Sequence, residues 1–134
     1  MEVHASESVR RQITKWVQKA KCGDKQAELT ARLLHDEVKE LQGLSGIPTE
    51  ESASLKRVRQ SKKYPVWRVS HPFHAEIAVR LICWFDPDSE SVVVALFAGD
   101  KLPMGDVFYD SVGSRADQII EVWRVERKRH EQGK

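Results

Sequence analysis

The chain has 134 residues, 40% hydrophobic and 31% charged, and its 22 Lys and Arg against 20 Asp and Glu leave a formal charge of +2. This is the length of one average domain, which excludes an enzyme with separate cofactor and substrate lobes, and only seven Gly and five Pro exclude a low-complexity chain. A net charge this small does not make the whole surface attractive to nucleic acid, so any such role rests on how the charge is distributed.

No apolar run is long enough to span a membrane, and MEVHASESVRRQ has no apolar stretch behind a basic one. A soluble, cytoplasmic protein with no membrane partner is expected. Cys22 follows a helical segment and Cys83 sits in an apolar strand, so a disulfide and a zinc site are both poor readings of these thiols.

From Ser6 to about Lys21, Val9, Ile13, Trp16, Val17 and Ala20 recur at three- and four-residue steps and predict a helix with one apolar stripe. Gly23 and Asp24 end it. A second stripe, through Ala27, Leu33, Leu34, Val38 and Leu41, stops at the glycines and proline of Gly43 to Pro48. Residues 1–48 thus form a helical hairpin, after which Thr49 is placed to cap a short helical turn. Beyond residue 54 the period changes to two, with strands expected at Val66 to His71, Glu76 to Asp86 and Ser91 to Ala98. Val112, Ala116, Ile119, Ile120 and Trp123 predict a C-terminal helix over 111–130. The fold class is α+β: the hairpin packed on a small antiparallel sheet of three to four strands, built from 55–110, and closed by the last helix.

Parity sets an expected register. Pairing His71 with Ile77 puts Trp67 opposite Leu81 and Val69 opposite Val79 on the core face, and places Arg68 directly across from Arg80 on the other. Facing guanidiniums repel, so a carboxylate or a bound anion is expected between them. Pairing Phe85 with Val92 keeps Leu81, Cys83, Val94 and Leu96 in the core and sends Trp84, Val93 and Phe97 to the arginine face, with Phe97 opposite Arg80. Cations interleaved with flat rings suit single-stranded nucleic acid, because phosphates take the guanidiniums and bases stack on the rings. An arginine lying over a ring, or paired with a glutamate of a covering helix, explains the same pattern.

The run LKRVRQSKK, from Leu55 to Lys63, carries Lys56, Arg57, Arg59, Lys62 and Lys63 and no acid, and reads either as a phosphate footprint or as a solvated face. Asp86, Asp88 and Glu90 cluster at the opposite end of the expected sheet. Gly99-Asp100-Lys101 lacks the glycine spacing of a phosphate-binding loop. His71 and His74 have no neighbouring thiol or carboxylate to complete a metal site, and read as turn residues or, for His71, as an acid or base near neutral pH.

Taken together, LKRV, VWRVS, AVRLICWFD, VVVALFAGDK and VFYDSV resemble the RelE/ParE superfamily of bacterial toxin–antitoxin toxins, over about Leu55 to Val112 with the helix pair upstream. The resemblance implies a small endoribonuclease that cuts messenger RNA, commonly on the ribosome, without a metal or other cofactor, and that a cognate antitoxin protein holds inactive. Carried over by position, Arg68 and Arg80 are the strand arginines, Arg80 stabilising the phosphate. Lys101 approximates the basic residue at the leaving oxygen, and Tyr109 the tyrosine that stacks or orients a base. Three features depart from the family. Ser70 stands where a second basic residue often occurs, which leaves no general base unless His71 or His74 serves. The loop between the arginine strands is long, and MEVHAS runs almost directly into a helix where the family has a first β-strand. A non-catalytic binding module of the same superfamily, poisoning a protein target or serving as a regulatory partner, is the alternative.

Overall fold

The structure is a computed structural model that describes residues 1–89, 91–100 and 107–132. In chain order it runs β1 (Glu2–Ala5), α1 (Glu7–Lys21), α2 (Lys25–Gln42), β2 (Leu55–Arg57), β3 (Trp67–Ser70), β4 (Val79–Phe85), β5 (Val92–Asp100), the helical turn α3 (Val107–Asp110) and α4 (Val112–Gln132). This is the α+β class expected, with a helical hairpin ahead of the antiparallel strands and a helix last. Ser6 caps α1 by accepting from the Val9 amide at 3.2 Å, and Asp24 caps α2 by accepting from Ala27 at 3.0 Å. Gly23, at φ 94°, makes the left-handed step that folds α2 back on α1. No helix forms at Thr49. The 43–54 segment is irregular, and the Thr49 carbonyl and Glu51 carboxylate accept instead from Arg57.

The sheet has five strands in the order β1-β5-β4-β3-β2, with β1 parallel to β5 and the other pairs antiparallel. Two of these strands correct the sequence reading. β1 exists after all: Val3 and Ala5 lie beside Val93 and Ala95, and four residues are too few to show a period. β2 is the start of the basic run, where only Leu55 is buried.

The registers also differ. Trp67 pairs with Cys83, Val69 with Leu81, Arg68 with Ile82 and Ser70 with Arg80, a shift of two residues that keeps every side chain on its expected face but moves Arg80 diagonal to Arg68. The connection is wider than a tight turn: residues 71–78 belong to neither strand. Phe85 pairs with Val93, one residue from expectation, and a bulge beside Ile82 and Cys83 leaves Leu96 without a partner on β4. The Ser6 hydroxyl donates to the Leu96 carbonyl there. The slip puts Val94 and Leu96 on the arginine face and Val93 on the other, the reverse of the sequence reading, while Phe97 stays on the arginine face opposite Ile82.

Helices pack on both faces. Val69, Val79, Leu81, Cys83, Phe85 and Val93 pack with Val9, Leu34 and Leu41 of the hairpin, whereas Ile82, Trp84, Val94, Leu96 and Phe97 pack with Val112, Ala116 and Ile120 of α4. Helix α4 is clamped to the 60–64 segment: Asp117 accepts from the Lys63 and Tyr64 amides, and Glu121 from the Lys63 ammonium and the Tyr64 hydroxyl. The approach is close enough that a Cβ on Gly113 would lie 2.3 Å from the Gln60 carbonyl oxygen.

Alanine normally stabilises a helix over glycine by about 1 kcal/mol, but Gly113→Ala forces α4 off the loop and should cost about 1–3 kcal/mol, read as a lowered Tm. Gly46→Ala, with nothing within 4 Å of the new Cβ, should leave Tm unchanged.

Glu37 of α2 is 1% exposed, neither of its carboxylate oxygens has a hydrogen-bond partner among the described residues, and burial pushes it up to about 9, opposed by Arg80 and reinforced by Glu40 and Asp36. The folded chain keeps this proton while the unfolded chain releases it near the ordinary value of 4.5. The stability it contributes is therefore complete below that value and is lost as pH rises toward about 9. Urea unfolding of Glu37→Gln should lack this loss, so its advantage over the parent should widen from pH 5 to pH 8.5, by on the order of a few kcal/mol. A constant difference across that range would refute the assignment.

Candidate nucleic-acid interface

The register builds one straight row across the sheet: Lys56, Arg68, Ile82 and Phe97 stand side by side on β2, β3, β4 and β5. The directly opposed like charges are thus Lys56 and Arg68, with Arg80 in the next row between Ser70 and Gly99. Beside this row opens a groove of about 650 Å³ lined by Glu51, Lys56, Arg57, Val58, Arg59, Gln60, Arg68 and Tyr109. Four cations face one acid there.

Arg68 lies 5.6 Å from the Tyr109 ring centroid and donates to the Tyr109 hydroxyl at 3.1 Å. Arg80 donates to the carbonyl of Val79 at 3.1 Å, and its Nε is buried without a partner among the described residues. Neither arginine is within ion-pair distance of a carboxylate among the described residues. Glu37 acts on Arg80 only at longer range and, held near pKa 9, is neutral at pH 7. The anion that the sequence reading placed between the arginines is therefore not supplied by a described side chain.

Several expected residues are placed differently by the fold. Trp84 and Phe97 are 3% and 0% exposed beneath α4, so neither offers a face for a base, because the face expected to be open is the second half of the core. Tyr109 is also buried, its hydroxyl held by Arg68, and anchors the groove wall rather than presenting a ring. Both ring nitrogens of His71 are engaged: Nδ1 bonds the Pro72 carbonyl, and the Nε2 lone pair accepts from the Val79 amide at 3.0 Å. His74 likewise accepts from the Glu76 amide. Lys63 is spent on Glu121, whose bond raises its pKa, and Lys62 donates to Ser114 at 2.9 Å. Of the basic run, Lys56, Arg57 and Arg59 line the groove, Arg57 also lying 4.8 Å over Trp67. Lys101 lies outside the described residues. No three His, Cys, Asp or Glu side chains among the described residues come together as a metal set.

Arg115, overlooked in sequence, places its guanidinium 4.1 Å over Phe97 at the far end of the same row, exposed and without an ion pair among the described residues. The only sequence signal for it is its position one turn after Val112 on the helix that covers Phe97. No described helix is long and apolar enough to cross a membrane. No family model, curated protein or solved structure matches the chain.

The Arg68 bond to Tyr109 joins β3 to α3 across the groove wall. Tyr109→Phe removes the acceptor and should cost about 0.5–1.5 kcal/mol in urea unfolding. A change below a few tenths would show that water replaces the hydroxyl without loss.

Proposed function

We propose that the protein is a toxin of a toxin–antitoxin module that takes single-stranded messenger RNA into the Lys56–Arg68 groove. The observation that carries this reading is the groove itself: Lys56, Arg57, Arg59 and Arg68 line it with one acid, and Arg68 and Arg80 share its sheet face with no carboxylate in ion-pair contact among the described residues. Such a surface holds a polyanion by neutralising successive phosphates. The strand β1, which the RelE/ParE resemblance calls for at the N-terminus, is present and adds to that reading.

Cleavage on this proposal is metal-independent and rests on positioning and charge. Arg68 and Arg80 hold the scissile phosphate and stabilise the charge that grows on its oxygens as the ribose 2′-hydroxyl attacks, which forms a 2′,3′-cyclic phosphate while the bond from phosphorus to the 5′-oxygen of the next nucleotide breaks and that oxygen takes a proton from water. Tyr109 fixes the Arg68 guanidinium through its hydroxyl. A guanidinium is a poor proton acceptor, and His71 has no free lone pair, so among the described residues the attacking hydroxyl must give its proton to water or to a group brought by a ribosome. Ribosome dependence is thus part of the proposal, as is a cognate antitoxin that covers the groove in the cytoplasm.

The occupied His71 also favours a second reading, a non-catalytic superfamily module that uses the same cations to bind a partner. Expression of the intact protein with its messenger RNA followed by primer extension separates the two. The toxin reading expects growth arrest with cut messages, with Arg80→Ala lowering cleavage on the order of 100-fold or more at unchanged Tm. Arrest with intact messages, or cleavage unaffected in both Arg68→Ala and Arg80→Ala, would overturn it.

A further inference from the structure

With Trp84, Phe97 and Tyr109 all buried, the base-stacking element of an RNA site must come from elsewhere. Phe73, in the loop between the two arginine strands, is 94% exposed, far more than any other large hydrophobic residue described. A lone partly exposed apolar side chain is ordinary on a protein surface, but an almost wholly exposed ring leaves nearly all of its apolar area in water. The sequence around it does not read as slack. His71 bonds the Pro72 carbonyl through Nδ1 and takes the Val79 amide through Nε2; His74 takes the Glu76 amide, and Asp100 takes the Ala78 amide at 3.0 Å. Four side-chain bonds to backbone thus brace the loop on both sides of Phe73, and the ring belongs to none of them. Its root is Ser70, the direct partner of Arg80.

We propose that Phe73 is the stacking platform of the RNA site, taking the face of an unpaired base beside the phosphate held by Arg80. This deepens the proposed function and rests on it. It assigns the two histidines a role as well: they are positioning residues that hold the loop so that little ordering is required when a base stacks. Because stacking uses the face common to all bases, the contribution is tolerant of sequence and larger for purines than for pyrimidines.

The test is fluorescence polarisation of labelled oligoadenylate, oligouridylate and an abasic phosphodiester of equal length, with the intact chain and its Phe73→Ala, Phe73→Leu and Phe73→Trp variants. The ring makes almost no internal contact, so the variants should keep the parental Tm. The proposal expects Phe73→Ala and Phe73→Leu to weaken oligoadenylate binding roughly five-fold or more, Phe73→Trp to retain it, and all four proteins to bind the abasic strand alike. Phe73→Leu binding RNA like the parent would overturn it, since an aliphatic group cannot stack. So would unchanged affinity in Phe73→Ala while Arg68→Ala weakens binding, which leaves the RNA reading standing. If the parent protein binds none of the three strands, the RNA reading falls and this proposal with it. Loss of a protein partner in Phe73→Ala with RNA affinity intact would reassign the ring to a protein interface.

Discussion

Where α4 lies on the sheet decides how much of the arginine face stays open. Asp117 and Glu121 tie the helix to Lys63 and Tyr64, and Gly113 lets it approach the Gln60 carbonyl to a distance that no side chain permits. These contacts place Val112, Ala116 and Ile120 over Trp84, Val94, Leu96 and Phe97, turning half of the face into core. The other half, along Lys56 and Arg68, remains as the groove. The same clamp consumes Lys62 and Lys63, so the basic run divides into a part held against α4 and a part that lines the groove.

The electrostatics of the groove follow from that division. Directly opposed like charges such as Lys56 and Arg68 destabilise a strand pair by up to about 1 kcal/mol, and no described carboxylate pairs with either. A buried Glu37 on the hairpin side of β4 does not relieve Arg80, because burial keeps it protonated through neutral pH. An anion bound between such opposed cations would relieve the repulsion that this strand register creates.

Much of the fold was legible in sequence. The apolar stripes of α1, α2 and α4 have the helical period, their boundaries carry Ser6, Asp24 and Gly23, and alternation assigned Arg68 and Arg80 to one face and Val69 and Leu81 to the other. What escaped were elements without a period or an independent turn signal. β1 has four residues and is held by a strand some ninety positions away, and the slip at β5 is compensated by a bulge that alternation cannot see. The candidate site was legible in part for the same reason. Lys56, Arg57, Arg59 and Arg68 stand at the groove, but the exposure of Trp84, Phe97 and Tyr109 depended on α4, whose own position is set by contacts spanning about fifty residues.

The amino-acid order by itself determined the α+β class, the helical hairpin, the strand faces and the concentration of cations between Leu55 and Lys63, because each depends on periods and propensities of neighbouring residues. Tertiary structure alone decided that Arg68 faces Lys56 rather than Arg80, that the His71 ring is engaged by backbone, and that Arg115 rests over Phe97. Those outcomes depend on register and on which distant groups meet, and a one- or two-residue shift between strands changes them while leaving nearly every local signal the same.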